Sequence, residues 1–388
     1  MVGGGPGAFI GAVHRMAAVL DGRFQLVAGA FSSDPAKSAE MGRELGIDPG
    51  RAYASYLEMV DREAARPKAE RIQVVVIVTP NHLHYPVALS FMEAGFHIVC
   101  DKPLTTSVAD AESLCRLAEE RGLVFAVTHN YTGYPMVKEA RERIRDGELG
   151  ALRKVVVEYS QGWLSTLLEA EGQKQAEWRA DPERGGASAV LGDIGSHAHS
   201  LVRYVTGLEV QRLFADLGTV VEGRHVDDDA TVLLELDGGV RGVLLASQIS
   251  TGERNHLRLR VYGRDGGLDW CQEDPERLRI LSPDGSERIL FRGAGTRSGA
   301  ALGATRIPAG HPEGFIEAFA NLYRSVAAAV RGRESGARTG SGAGDESSDA
   351  GFPTVRDGAR GVHFIHRALE SNRQGGWVDA AYTPPGSS

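Results

Sequence analysis

Apolar residues recur along the first third of the chain in two alternating rhythms. Phe9, Ile10, Val13, Met16, Ala17 and Leu20 fall at helical spacing and predict an amphipathic helix just after a glycine cluster. The run "FQLVAGAF" (24–31) predicts a strand, and "PAKSAEMGRELG" (35–46) a polar helix. The segment "IQVVVIVTP" (72–80) is β-branched and does not alternate, as a strand buried on both faces of a parallel sheet should be. A helix with Val87, Phe91 and Ala94 on one side follows, and then "HIVCDKP" (97–103). Ser107, with Asp110 three residues on, opens a further helix before "LVFAVTHNY" (123–131). Strands alternating with helices in this way predict βαβ units around a parallel sheet.

From about 151 the period shortens to two. The runs "LRKVVVEYSQGW", "ATVLLELDGGVRGVLLASQIS", "HLRLRVYGRDGGLDW" and "RLRILSPDGSERILF" are joined or followed by Asp-Gly turn signals at 237–239, 265–267 and 283–285. A helical stretch, "SAVLGDIGSHAHSLVRYVTGL" (188–208), lies among them. The fold class expected is α/β: a Rossmann dinucleotide-binding domain over 1–131, then an α+β domain over 132–388 with a large, mostly antiparallel, open-faced sheet. Residues 331–352 hold ten glycines and serines in 22 positions and read as a flexible surface insertion.

Composition narrows the class only a little. A chain of 388 residues is long for one domain, and its 42% hydrophobic and 24% charged residues are those of an ordinary globular protein. A net charge of −8 argues against a nucleic-acid partner. Cys100, Cys115 and Cys271 form no C-x-x-C pair, which fits a reducing, cytoplasmic setting. No stretch approaches the ~18 apolar residues of a membrane span, so no membrane partner is expected.

The opening "GGGPGAFIGAVHR" carries the first chemistry. Gly3, Gly5 and Ala8 satisfy G-x-G-x-x-A, whereas Gly5, Gly7 and Gly11 give a spacing one residue too long. Such a loop lets the backbone approach a pyrophosphate at the start of a helix, here near Phe9 and Ile10. Three further stretches, "TPNHLHYP" (79–86), "DKP" (101–103) and "THNYTGYP" (128–135), end predicted parallel strands, where open α/β sheets bind ligands. In "GDIGSHAHSL" (192–201), Asp193 and His197 are spaced to share one helical face, while His199 points elsewhere. The two histidines are therefore not a metal pair, and no metal is expected. The run Asp227-Asp228-Asp229 reads as a solvated turn.

Together these stretches resemble the Gfo/Idh/MocA family of nicotinamide-dependent sugar and cyclitol dehydrogenases. The family's E-K-P is similar to Asp101-Lys102-Pro103, its T-P-x-x-x-H to Thr79 through His84, and its D-x-G-x-H to Asp193 through His197. "GGGPGAFIGAVHR", "CDKPLTT", "THNYTGYPM" and "GHPEGFIEAFANLY" (310–323) look most like the levoglucosan dehydrogenase branch, which oxidises a pyranose hydroxyl at C3 with NAD. The resemblance implies Lys102, Asp193 and His197 as the catalytic set, with the formal base open between Lys102 and His197. Desolvation beside an oxidised nicotinamide would favour a neutral Lys102. Gly3, Gly5, Gly7, Phe9, Ile10, Ser32, Ser33, Thr79, Asn81, His84, Asp101 and Lys102 are the expected cofactor contacts. No acid ends the second strand at Phe31-Ser32-Ser33, so NAD is expected mainly from the branch, and NADP stays open. Tyr131, Gln161, Trp163 and Arg179 are the expected contacts of a sugar or cyclitol substrate lying between nicotinamide and the second sheet. Relatives carry a strand upstream of the glycine loop, of which only Met1 and Val2 are present, so a truncated first strand is expected. A homodimer or homotetramer built on the open sheet is also implied. Reduction of a keto-sugar, or cofactor sensing without catalysis, stays open beside oxidation.

Overall fold

The β-branched run Val74–Val78 forms a strand with neighbours on both edges, as its lack of alternation requires. It belongs to a parallel sheet in the order β1 (Val2–Gly3), β2 (Val74–Val78), β3 (His97–Cys100) and β4 (Phe125–Val127). Two positions extend this sheet beyond β1 as single parallel bridges, Val2 with Ala30 and Gly29 with Ala52. Counted with them, the order runs 52, 30, β1, β2, β3, β4, and the chain changes its direction of travel between β1 and β2. That is the switch point at which open α/β sheets bind ligands. The predicted strand 24–31 shrinks to Gly29 and Ala30, because β1 is only two residues long and offers few rungs. The pairing itself is sound: Gly3 N–H donates to Ala30 O at 2.9 Å and Ala30 N–H to Met1 O at 3.0 Å. The connecting helices are α1 (Phe9–Leu20), α2 (Pro35–Glu44), α3 (Tyr56–Ala64), α4 (His84–Glu93) and α5 (Val108–Glu120). Ser107 caps α5 as its sequence position predicts, its Oγ accepting from Asp110 N–H at 3.2 Å.

The structure, a computed structural model, describes residues 1–335 and 350–386. It divides into one unit of Met1–Thr128, Phe319–Ala359 and Pro384–Ser388, and another of His129–Ala318 and Arg360–Thr383. The break thus falls just before the expected boundary at 131, and 319–359 return to the first unit instead of staying with the second. Particular contacts hold them there. Tyr323 OH lies 2.7 Å from His14 Nδ1, and Thr354 bridges antiparallel to Ala126. Gly358 packs so closely that a Cβ there would stand 2.8 Å from Leu104 Cβ. Within the expected insertion 331–352, Arg331–Glu334 continue a helix and Phe352 is buried, while 336–349 lie outside the described residues.

The second unit is a nine-stranded sheet. Its strands are β5 (Leu152–Ser160), β6 (Val210–Gly218), β7 (Asp229–Leu236), β8 (Arg241–Ser247), β9 (His256–Gly263), β10 (Gly267–Cys271), β11 (Arg277–Leu281), β12 (Glu287–Phe291) and β13 (Val378–Asp379). The order is β12-β11-β10-β9-β5-β8-β7-β6-β13, and every pair is antiparallel except β5 with β8. The three predicted turns join β7 to β8, β9 to β10 and β11 to β12; Gly238 and Gly239 adopt φ of 67° and 78°, which explains the glycines of the first. Alternate residues such as Val155, Val157, Leu257 and Leu259 enter one core with residues of α6 (Pro135–Arg145), α9 (Ser196–Thr206) and the later part of α12 (Val355–Gln374). Glu158, His256, Arg258 and Arg260 stand on the opposite face. The remaining helices are α7 (Lys174–Arg179), α8 (Pro182–Gly185), α10 (Gly299–Gly303) and α11 (Phe315–Glu334).

Candidate active site

In the first unit the glycine loop is shaped by close approach. A Cβ on Gly3 would stand 2.7 Å from Val78 O, one on Gly5 2.6 Å from Phe31 O, and one on Gly11 2.4 Å from Gly4 Cα. Gly7 has open space around it but a φ of 73°. The loop leads into α1, whose N-cap is Ala8 and which no side chain caps. An uncapped helix start behind a glycine cradle is where a pyrophosphate is held. Thr79 Oγ1, at the end of β2, is shielded from solvent and has no hydrogen-bond partner among the described residues. Cradle, helix start and orphan hydroxyl together fit a dinucleotide. Phe9 is exposed at the helix start and Ile10 packs on the small core around Phe31 and Val78.

The other predicted cofactor contacts divide into open and committed groups. Asp101 Oδ1 accepts from Lys102 N–H at 2.9 Å and from Thr128 Oγ1 at 2.9 Å, which fixes the turn that carries the half-buried Lys102. Asn81 is buried in the turn after β2. His84 is buried with Nδ1 2.8 Å from Pro103 O and Nε2 3.0 Å from Thr79 O. Both ring nitrogens face carbonyls, to one of which the neutral ring donates, and His84 packs between the two strand-end loops. Burial lowers its pKa, with Asp101 opposing. Ser32 Oγ accepts from Asp34 N–H at 3.1 Å, and Ser33 is exposed. The Asp34 carboxylate caps α2 through Ala36 and Lys37 N–H.

The second unit gathers its predicted residues where three strands end. Ser160 of β5 is in register with Ser247 of β8 and with His256 of β9. Because β5 and β8 run parallel, both present their C-terminal ends here. Gln161 and Gln248 follow those ends and Asn255 precedes β9. Tyr159 OH donates to Asn255 Oδ1 at 2.7 Å, and Asn255 Nδ2 donates to Tyr131 OH at 3.2 Å. The 2.5 Å contact between the two phenols closes a ring of three hydrogen bonds, with Tyr131 donating to Tyr159. Burial pushes both phenols above their ordinary range, and the nearby Asp193 charge adds to it. Gln161 Nε2 joins the ring through Asn255 Oδ1 at 2.7 Å, and its Oε1 accepts from Trp163 Nε1 at 3.0 Å. Gln248 Nε2 donates to Asp193 Oδ2 at 2.8 Å. Arg179 Nε lies 3.2 Å from Asp193 Oδ1, with the guanidinium over the rings of Trp178 and Trp163. The His197 ring stands edge-on to Tyr131 at 4.8 Å and to His129 at 5.5 Å.

All six residues expected here, Asp193, His197, Tyr131, Gln161, Trp163 and Arg179, therefore fall in one polar and aromatic cluster. Tyr159, Gln248, Asn255 and His129 belong to it too and were not foreseen. Two expectations need correction. Asp193 and His197 do not share a regular helix, because Leu191–Gly195 form one wide π-turn before α9. That turn directs Asp193 toward Gln248 and Arg179 while His197 faces the tyrosines. The aspartate run is not a solvated turn either. Asp227 accepts from Ala189 N–H at 2.6 Å and from Ser188 Oγ at 2.5 Å, and the buried Asp228 pairs with Arg224 at 3.1 Å.

Residues 1–129 match the family model described as oxidoreductase family, NAD-binding Rossmann fold, and residues 137–269 match the Gfo/Idh/MocA C-terminal domain. A Bacillus subtilis protein described as the uncharacterized oxidoreductase YfiI is 32% identical over 98% of this chain and 95% of its own length. The chain belongs to the Gfo/Idh/MocA family. The crystal structure of an inositol dehydrogenase homolog from Azotobacter vinelandii, complexed with NADH and myo-inositol, superposes with a TM-score of 0.89 at 37% identity, covering 98% of this chain and 96% of that one. Levoglucosan dehydrogenase of Pseudarthrobacter phenanthrenivorans is 27% identical over 75% of this chain and 78% of its own. The recognised family supports the reading of the two halves: a Rossmann unit with a glycine cradle, and a sheet domain with a polar cluster. Among the described residues no helix is long and apolar enough to cross a membrane.

Proposed function

We propose that this protein is an NAD-dependent dehydrogenase that oxidises a ring secondary hydroxyl of a cyclitol or pyranose. The observation that carries the reading is the second unit's cluster. It sets a carboxylate, two imidazoles, three amides and aromatic faces together where strand ends meet the π-turn and the start of α9. A polyhydroxylated ring needs that combination, since each buried hydroxyl must find a partner and each C–H face an apolar one. One relative holds myo-inositol and another is a levoglucosan dehydrogenase, and both compounds are polyhydroxylated rings.

Bound NAD supplies the hydride acceptor. The residues of the chain do the rest. The loop at Gly3, Gly5 and Gly7 and the start of α1 hold the pyrophosphate. Asp101 and Thr128 fix the turn that presents Lys102, whose Nζ takes the proton of the reacting hydroxyl. Asp193, held by Gln248 and Arg179, and His197, packed on Tyr131, grip hydroxyls of the same ring and select its orientation. For a pyranose the levoglucosan-like stretches favour C3 as the reacting carbon. The ring of Tyr131, Tyr159 and Asn255 keeps Gln161 and Trp163 in place. The exposed Leu233 and the half-buried Val243 and Leu245 on the other face of the sheet favour assembly into a homodimer or homotetramer.

Kinetics on two variants test the assignment. Lys102→Ala should lower kcat by about 10²–10⁴, the usual worth of a positioned base, while NADH affinity stays within a few-fold. His197→Ala should raise KM for the sugar as well as lower kcat. A Lys102→Ala enzyme within tenfold of the parent in kcat would sink the assignment of the base.

A further inference from the structure

A second group of chemically active side chains stands on the outer face of the nine-stranded sheet. Glu253 precedes β9 and His256 opens it, while Cys271 ends β10 and Glu273 lies in the turn that follows. Around His256 Nδ1 lie a Glu273 oxygen at 3.7 Å, Cys271 Sγ at 3.9 Å and a Glu253 oxygen at 4.0 Å. One donor atom each from Glu253, His256 and Glu273 lies within 4.8 Å of the others. Metal bonds of about 2.0–2.3 Å to N, O and S set the donors of a tetrahedral site about 3.3–3.6 Å apart. The three distances from His256 Nδ1 exceed this by a few tenths of an ångström and the separations among the other donors by up to about 1 Å or more, and the Glu253 side chain, 46% exposed, has room to move in.

The second imidazole nitrogen supplies an independent argument. His256 Nε2 lies 3.1 Å from Glu158 Oε1 on the neighbouring strand. A carboxylate behind the ring places the proton on Nε2 and leaves the Nδ1 lone pair facing the three other donors, the arrangement typical of metal-binding histidines. The neighbouring cations do not fill the centre. Arg258 is held by Asp269 at 2.7 Å, Arg260 reaches Glu158 at 3.4 Å, and Arg254, which pairs with Glu273 at 3.4 Å, is 83% exposed and can swing aside. A cleft of about 190 Å³ opens beside His256 and Cys271; its arginines are paired, Arg258 and Arg279 with Asp269 and Arg277 with Asp274.

We propose that Glu253, His256, Cys271 and Glu273 bind a divalent cation of the zinc class. The mixed nitrogen, sulfur and oxygen donors select a borderline ion over magnesium or calcium. The thiol proton leaves to solvent on binding. Asn255 lies between Glu253 and His256 in the chain, and its N–H donates to Glu273 Oε1 at 3.1 Å. The cation thereby stiffens the segment that presents the Asn255 side chain to Tyr131, Tyr159 and Gln161 on the other face. This last consequence rests on the proposed function of that cluster; the binding site does not.

The test uses the full chain, stripped with a chelator, kept reduced and titrated with Co²⁺. The expected result is one Co²⁺ per chain, with tetrahedral d–d bands and a thiolate charge-transfer band, displaced by Zn²⁺. Cys271→Ser should lose the charge-transfer band, and His256→Ala should bind at least tenfold more weakly. Thermal unfolding of the metal-free variants separates a folding defect from lost binding; should His256→Ala not fold, Glu253→Gln serves in its place. Absent bands, or bands unchanged in the variants, would overturn the site. A Zn²⁺-dependent fall in the KM of the sugar supports the link to Asn255, and an unchanged KM with Co²⁺ bound overturns that link alone.

Discussion

Single residues decide whether the glycine loop can exist. Gly5 and Gly11 have no room for a methyl group, since the obstructing atoms are backbone and cannot swing away. Gly5→Ala should destabilise the first unit by about 1–3 kcal/mol, an overpacking cost, and weaken NAD binding at least tenfold. Calorimetric titration with NAD checks it, and near-parental affinity would contradict the account. The sequence showed a glycine cluster, yet left two registers open. Neither spacing is the whole answer, because Gly5 and Gly11 yield to close approach, Gly7 serves a positive φ and Gly3 meets both demands. A one-dimensional pattern cannot separate those two reasons for glycine. His84 shows the same limit. Its place in T-P-x-x-x-H was legible, but its packing between Thr79 and Pro103 depends on two loops meeting in space.

At the scale of elements, the parallel pairing of β5 with β8 builds the candidate substrate site. Alternation along each run was plain in the sequence, and so were the three turns. The parallel pairing was not, because the two strands are more than eighty residues apart and no local signal encodes it. Gln248, at the end of β8, is hidden for that reason, and the roles of Tyr159 and Asn255 depend on Tyr131 meeting them in space, whereas Gln161 and Trp163 follow a strand that the sequence shows. Asn255→Ala opens the hydrogen-bonded ring and leaves two buried phenols with fewer partners. It should cost about 1–3 kcal/mol of stability and raise KM for the sugar more than it lowers kcat. Asp227 anchors the start of the segment that carries the π-turn, through Ser188 and Ala189. Asp227→Ala strands those groups and should likewise cost about 1–3 kcal/mol, with a matching loss of kcat as Asp193 loses its fixed position. Denaturant unfolding beside steady-state kinetics reads both variants.

Across the whole molecule, buried histidines set the response to acid. Burial lowers His14 from 6.5 to about 4 and His199 from 6.5 to about 3, the latter aided by Arg203 and other nearby cations. Between those values and 6.5 the unfolded chain binds more protons than the folded one, so stability is full above pH 6.5 and falls as pH drops toward 4 and then 3. At about 1.4 kcal/mol per pKa unit each histidine is worth a few kcal/mol over that window. His199 Nδ1 has no hydrogen-bond partner among the described residues and its ring stacks on Phe364, so His199→Leu should flatten the lower part of the curve without loss at neutral pH. A melting temperature that fell just as steeply in the variant would contradict this. The two-part architecture was legible from the change of period near 151, whereas the return of 319–359 to the first unit rests on contacts such as His14 with Tyr323 that no local pattern announces. The proposed reaction of this chain is oxidation of a ring hydroxyl by NAD. The absorbance of reduced nicotinamide, followed while the purified protein meets NAD with myo-inositol, levoglucosan and a panel of other cyclitols and pyranoses, tests it most directly. A rise is expected with at least one ring, and none for the same ring with Lys102→Ala. No rise with any of them, in a protein that binds NAD, would contradict it.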